Sequence, residues 1–440
     1  MKGAAKRNHR QGGPRGAFLR RSPFLVSYWQ GKELYFENYL TRKKVAASIE
    51  TAALLDFFSG WKREEAMFRR WPEYTRKSLR HAIRRLVQES FLQRSLVRNP
   101  PEDPLEKALR QWRAWNPAAS FFHMQTKDPY SEEISAEEIR RVEELLKRER
   151  APAPVKSYPN ARAIPFLREN YADEFARILQ ERRTWRKFGR QPVPKEIVGR
   201  LLHLSFGVQG WLRIPEGGRF AYKTSPSGGA LHPAEAYLLV QNVQGIPRGI
   251  YHYDAVGHGL QKIRRGASPG EIQKLLAGQW WFRDAAVVVF LTAVFHRTQW
   301  KYDYPRAYRA VLAEVGHLCQ TFCLTATWLG LAPFCTMAFA DTRIEQTLKV
   351  DGISESVLYA MGAGTKPQKK IAAMGASAHR RWFRKSYFFE TNTEARVVSQ
   401  SMLRFAPLPA FSNEMVKFST GDGSAETFIS TRARSFAWPG

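Results

Sequence analysis

Cysteine is scarce in this 440-residue chain: Cys319, Cys323 and Cys335 are its only three. Three cysteines cannot build a disulfide framework, which points to a reducing compartment, and the chain is expected to be cytoplasmic. Cys319 and Cys323 stand one helical turn apart, yet no second cysteine or histidine pair completes a zinc site. They read as core thiols, and no metal is expected. Long apolar runs are missing too. The longest, Ala285–Phe295, is too short to cross a bilayer, and Met1–Arg21 lacks the apolar centre of a secretory signal. No internal repeat is visible. Acidic residues are few, 40 against 69 Lys and Arg, for a net charge of +29. That imbalance suits a polyanionic partner (nucleic acid, acidic peptide, anionic membrane or phosphorylated cofactor) or a merely solvated basic surface. Nearly half the excess lies in residues 1–100, with 22 Lys and Arg against 8 Asp and Glu.

What remains is ample for folding. A hydrophobic content of 44% over this length fits two or three globular domains. Residues 1–21, Gly-rich and basic, read as a disordered tail. A small module spans 22–98. Phe24–Trp29 and Glu33–Leu40 are strand candidates joined by the turn Gln30-Gly31-Lys32, and Ile49–Phe58 follows as a helix. A second helix runs from about Lys77 to Phe91, with Thr75 as N-cap and Leu79, Ile83 and Leu86 on one face. Residues 99–171 form a helical, Pro-rich linker region, with helices at Leu105–Trp115 and Ala136–Arg150 and a spacer at Ala151–Pro159. The main domain covers 172–370. Its helices are Ala172–Gln180, Ile197–Phe206 and Arg306–Leu329; its strands include Ala236–Val240, Gly249–Tyr253, Ala286–Phe295, Thr336–Phe339 and Val357–Gly362. Residues 371–440 form an extension of unknown role.

Four constellations in that domain carry chemistry. Arg182, Arg183, Thr184 and Arg186 gather three guanidiniums and a hydroxyl at a helix end, donors suited to a phosphate monoester or to a plain basic surface. Ser225-Pro-Ser-Gly-Gly229 is a turn whose glycines let backbone approach a flat or anionic group. Gly330–Ala338 takes a helix end into a short apolar strand, and Gly362–Lys366 is a turn bearing a cation. Each suits one part of a flat phosphorylated cofactor.

These motifs resemble the flavin-dependent nitroreductase family. Arg182–Phe188 (RRTWRKF) is similar to the family's opening RRSxRxF, and SPSGGALHPAEAYLLV to its flavin loop in the form typical of a peptide-modifying branch. GIYHYDAVGHGL and YRAVLAEVGHLCQTFCLTATWLGL match that branch, the SagB-type peptide dehydrogenases or azoline oxidases. The resemblance covers roughly 181–365. It implies an α+β, nitroreductase-like FMN fold with a central, mainly antiparallel sheet flanked by helices, in a homodimer. It also implies that FMN is held through Arg182, Arg183, Thr184 and Arg186 at its phosphate and ribityl end, with Lys366 as a further phosphate ligand. Pro226, Ser227 and Gly228 would contact the ring, commonly from the partner subunit, and Met337 and Ala338 would present backbone to it. Thr184 departs from the family's usual Ser but keeps the hydroxyl. The 22–98 module resembles the winged-helix peptide-binding modules of enzymes that modify ribosomally made peptides, and would hold the precursor's leader.

The azoline-oxidising members carry an adjacent Lys-Tyr pair before the long helix, matched here by Lys301 and Tyr302. The resemblance makes these the catalytic pair. An azoline's ring α-carbon lies between a carbonyl and a C=N, so its proton is acidified; a base removes it while hydride leaves the neighbouring carbon for the flavin. The expected function is oxidation of thiazolines or oxazolines to azoles on a ribosomally made precursor peptide, with a cyclodehydratase complex as a partner the resemblance allows. An NAD(P)H-dependent nitro- or quinone reductase is the alternative among enzymes. From another class, Arg76, Arg80, Arg84 and Arg85 keep a flavin-bearing winged-helix DNA regulator open, although nucleic acid is not the favoured partner.

Overall fold

The computed structural model describes residues 16–128, 171–213 and 218–367, with isolated positions between 140 and 166. Nearly all of the helix expected at Ala136–Arg150, the Pro-rich spacer and the extension 371–440 lie outside the described residues. Residues 16–98 alternate short strands and helices: β1 (Phe18–Arg21), β2 (Leu25–Gln30), β3 (Glu33–Asn38), β4 (Lys43–Ala46), α1 (Ile49–Phe57), β5 (Lys62–Arg63), α2 (Glu64–Arg70), α3 (Arg76–Gln88) and β6 (Leu92–Ser95). Strands β2, β3 and β4 make an antiparallel meander, its first turn opened by Gly31 at φ 61°. Thr75 caps α3, its hydroxyl accepting the Ser78 N–H at 3.1 Å, and Leu79, Ile83 and Leu86 are buried as the spacing predicts. One expectation fails here. Phe18–Arg21, assigned to a disordered tail, is a strand between β5 and β6, with Leu19 fully buried. Its partners lie more than forty residues further along the chain, so local composition carries no sign of them.

In the segment read as a linker, α4 (Pro104–Arg110) and α5 (Ala118–Thr126) flank Trp112 and Trp115, which are buried in the larger core. Trp112 Nε1 donates to the Ile353 carbonyl at 2.9 Å, and Trp115 Nε1 to that of Tyr302 at 2.9 Å. Buried indole N–H groups need partners, and both are satisfied by backbone of the main domain.

The main domain contains α6 (Glu174–Glu181), β7 (Val193–Pro194), α7 (Lys195–Phe206), β8 (Gly210–Arg213), β9 (Arg219–Tyr222), β10 (Ala234–Val240), β11 (Val243–Gln244), β12 (Gly249–Asp254) and β13 (Gly259–Arg265). It continues through α8 (Pro269–Leu275), β14 (Val287–Val294), α9 (Phe295–Gln299), α10 (Ala307–Trp328), β15 (Leu331–Thr336), α11 (Asp341–Leu348) and β16 (Glu355–Thr365). Six strands form one antiparallel sheet in the order β13-β12-β10-β14-β16-β15. This is the α+β architecture expected, a mainly antiparallel sheet flanked by helices. The alternation of side chains explains the continuous apolar runs. Ala236, Leu238, Val287, Val289 and Leu291 face a core shared with α7 and α10, whereas Leu239, Val288 and Phe290 face one shared with α8 and α11. Both faces are covered, so the centres of these strands are apolar on both sides. On β16, a Cβ at Gly362 would come within 2.4 Å of both Phe334 and the Val287 carbonyl, so only glycine lets the neighbouring strands close there.

The strand expected at Thr336–Phe339 lies earlier, at Leu331–Thr336. Thr336 Oγ1 accepts the Ala338 N–H at 3.1 Å, which turns the chain off the sheet edge.

Candidate active site

Helix α10 organises the site because its two faces receive different segments. At 100° per residue, Ala310, Glu314 and Thr321 share one face, and Cys319 and Cys323 lie on the roughly opposite one.

The first face takes the Ser-Pro-Ser-Gly-Gly turn. Ser225 Oγ pairs with Thr321 Oγ1 at 2.7 Å. Ser227 Oγ donates to Glu314 Oε2 at 2.5 Å and accepts the His232 N–H at 2.9 Å. Ser227 therefore pins the turn to the helix, while Pro226 and Gly228 are exposed. Gly229 has φ 67°, and a Cβ there would lie 2.7 Å from Tyr302 Oη and 3.1 Å from Lys301 Nζ. Two segments more than seventy residues apart thus meet at a position that must lack a side chain. Lys301 Nζ lies 5.6 Å from the Tyr302 ring centroid, and Trp115 holds the Tyr302 carbonyl.

Beside this meeting point opens a cavity of about 630 Å³ lined by Lys223, His232, Glu235, His252, Arg297 and Trp300, among others. Strand pairing assembles its charges: His252 on β12 lies 2.8 Å from Glu235 Oε2 on β10, and Arg297 on α9 lies 2.6 Å from Glu235 Oε1. Burial works to raise the Glu235 carboxyl, but the His252 hydrogen bond and Arg297 outweigh it and hold the pKa below the usual carboxylate range. His252 is raised in turn by its bond to Glu235. Burial lowers Lys223, with Glu235 and Glu314 opposing, and pushes His232 down to about 4, Lys223 adding to the effect. Glu314 is raised by burial. No role for Lys223, Glu235, Arg297 or Glu314 is legible in the sequence. The adjacency of β10 and β14 is what brings Arg297 to Glu235, and short-range patterns do not carry it.

Around the second face runs the arginine-bearing segment. Arg182 caps α6 through its N–H on the Ile178 carbonyl at 3.0 Å, and Arg183 Nε donates to the Glu181 carbonyl at 3.2 Å. Trp185 N–H then bonds the Pro333 carbonyl and Gly189 N–H the Thr365 carbonyl, both at 2.8 Å. These bonds lay residues 182–189 along the ends of β15 and β16, where Lys366 Nζ sits 6.0 Å from the Trp185 ring. The backbone that carries the expected phosphate ligands Arg182, Arg183 and Arg186 therefore runs along the sheet edge that leads to Lys366. Thr184 stands close enough to Cys335 to favour its ionised form. Met337 is exposed, and Ala338 commits its carbonyl to Gln279 Nε2 at 2.6 Å and its amide to Thr336.

On the small N-terminal unit, Arg76 and Arg80 lie over the Phe68 ring at 5.5 and 5.3 Å, and Arg80 pairs with Glu64 at 3.5 Å. Among the described residues, no helix is long and apolar enough to cross a membrane.

Comparison with known proteins places these features in a group. The model of the nitroreductase family matches residues 179–365. MJ1384 of Methanocaldococcus jannaschii, described as a nitroreductase, is 32% identical over 43% of this chain and 89% of its own length. The trifolitoxin-processing protein TfxB of Rhizobium leguminosarum bv. trifolii is 26% identical over 52% of this chain and 63% of itself. The microcin B17-processing protein McbC of Escherichia coli is 31% identical over 29% of this chain and 48% of itself. The chain thus spans about half to two thirds of the two peptide-processing relatives.

Proposed function

This chain belongs to the nitroreductase family, and from that premise we propose that it is an FMN-dependent dehydrogenase of the SagB type, oxidising azoline rings to azoles on a ribosomally made precursor peptide. The observation that carries the proposal is the meeting of Lys301 and Tyr302 at Gly229. Relatives that process trifolitoxin and microcin B17 support the substrate class.

The donor set fits FMN. Arg182, Arg183, Arg186 and Lys366 would hold its phosphate, since fixed cations at one edge suit a dianion. Pro226, Ser227 and Gly228 would contact its ring, and Met337 would present backbone to it. When bound, the flavin supplies a two-electron acceptor for hydride. This chain's residues do the rest. Tyr302 Oη or Lys301 Nζ takes the acidified proton from the ring α-carbon. Glu314, through Ser227, keeps the turn in place. The cavity of Lys223, Glu235, His252 and Arg297 offers paired charges to the peptide flanking the azoline. Because the turn and the arginine segment flank opposite faces of α10, one chain does not enclose a flavin between them; a homodimer, each turn completing the partner's site, would. Residues 22–98 would hold the leader and raise the local concentration of the ring.

The test uses the full chain purified with FMN and a synthetic peptide carrying one thiazoline. Azole formation, seen as loss of two hydrogens by mass and gain of azole absorbance, is the expected result. Reduction of a nitroarene by NADPH with no change in the peptide would overturn the reading in favour of a nitroreductase.

A further inference from the structure

The sequence separates Cys335 from Cys319 and Cys323 and leaves all three as core thiols; the fold brings them together. Cys319 and Cys323 project from one face of α10, one turn apart, and both are buried. Cys335 lies on β15, its register set by pairing with Met361 on β16. The three sulfurs all lie within 4.8 Å of one another. We propose that Cys319, Cys323 and Cys335 form a site for one divalent thiophilic cation of the zinc class, joining α10 to β15 behind the arginine-bearing segment.

Geometry, donors and charge agree. Zinc–sulfur bonds of about 2.3 Å in a tetrahedron put sulfurs about 3.8 Å apart, so rotamer adjustments of about 1 Å convert the cluster into a ligand set. Three thiolate ligands favour zinc over the harder cations that oxygen donors select. A fourth position has oxygen donors nearby, because the Tyr359 and Thr184 hydroxyls stand close enough to Cys335 to favour its ionised form. Arg182 acts electrostatically on Cys323. Three thiolates, one dication and one guanidinium sum to zero, which removes the main objection to burying three ionised sulfurs. Binding would release the thiol protons and tie Thr184, and with it the arginine segment, to the helix. The three sulfurs that define the site have no part in the flavin reading, which shares only Arg182 and Thr184 with it.

The test is a titration of the full chain, reduced and stripped with chelator, with Co(II) as the spectroscopic stand-in for zinc. One cobalt per chain, with thiolate-to-cobalt charge transfer and tetrahedral visible bands that zinc abolishes, is the expected result. Cys335→Ser should lose those bands, and zinc should raise the melting temperature of the parent but not of the variant. Should Cys335→Ser fail to fold, Cys323→Ala serves the same purpose. Cobalt bound without charge transfer, bands that survive both substitutions, or a native disulfide among these cysteines would overturn the proposal.

Discussion

The two faces of α10 meet different kinds of chemistry. Toward the Gly229 turn stand groups that can gain or lose a proton: Lys301, Tyr302, Glu314, Lys223 and the Glu235–His252 pair. Around the other face stand guanidiniums, whose charge is fixed across the working range, beside thiols shut in the core. On the proposed function, the difference teaches that holding and reacting would be separated by one helix. A bound ligand's permanent charge would be met mainly by guanidiniums, and the proton-handling groups stand where burial and neighbours adjust them.

The sharpest break of that comparison is Lys301→Ala combined with Tyr302→Phe. Turnover of a thiazoline peptide should fall by about 10²–10⁴-fold, the usual size of a lost acid–base contribution, while flavin stays bound. Visible absorbance of the purified variant checks retention, and turnover near the parent's would remove the pair from the chemistry. Arg182→Ala should do the converse. Losing a charge-assisted contact of about 1.5–3 kcal/mol weakens flavin binding by roughly 10–100-fold, measurable by titrating the apoprotein, with little change in turnover once FMN saturates.

Gly229→Ala tests the meeting point itself. A left-handed φ costs an L-residue about 1–2 kcal/mol, and the new methyl would displace Tyr302 Oη, so both melting temperature and turnover should drop. Gly228→Ala, whose Cβ would meet Ala310 at an ordinary 3.5 Å, should leave the melting temperature nearly unchanged.

A control away from both sites lies in a buried carboxyl. Burial pushes Asp341 up to about 7, and burial, with Lys127 next, pushes His123 down to about 3. Between about pH 4 and 7 native Asp341 keeps a proton that the unfolded chain has lost, so its contribution to stability falls as pH rises. His123 acts in the opposite sense, since the unfolded chain takes up a proton below about pH 6.5 that the native state refuses. The two slopes largely cancel where they overlap. Asp341→Asn should therefore gain stability relative to the parent as pH rises from about 4 to 7, by denaturant unfolding at stepped pH. A constant difference would show that this carboxyl does not titrate there.

Much of the fold was legible because it is written in short periods. The stripe Tyr308, Val311, Val315, Leu318 and Phe322 foretells α10, and the apolar run before Phe295 foretells a strand covered on both faces. β1 was not legible, since three apolar residues in a basic stretch become a strand only between β5 and β6. Of the site, the Arg182 segment and the Ser-Pro-Ser-Gly-Gly turn stand out in the sequence as clustered donors and glycines. Glu235 with Arg297, and Cys335 with Cys319 and Cys323, do not, because each set is joined only through the sheet or against a helix.

By itself the chain determined its helices, its buried strands and the residue types able to grip a phosphorylated flavin, because these follow from local periodicity and side-chain chemistry. Which residues stand together was decided by the antiparallel order of the sheet and the seating of α10 on it. Lys301 and Tyr302 at Gly229, the cavity of Lys223, Glu235, His252 and Arg297, and the three sulfurs all come from contacts between distant segments, which packing selects and local pattern does not encode.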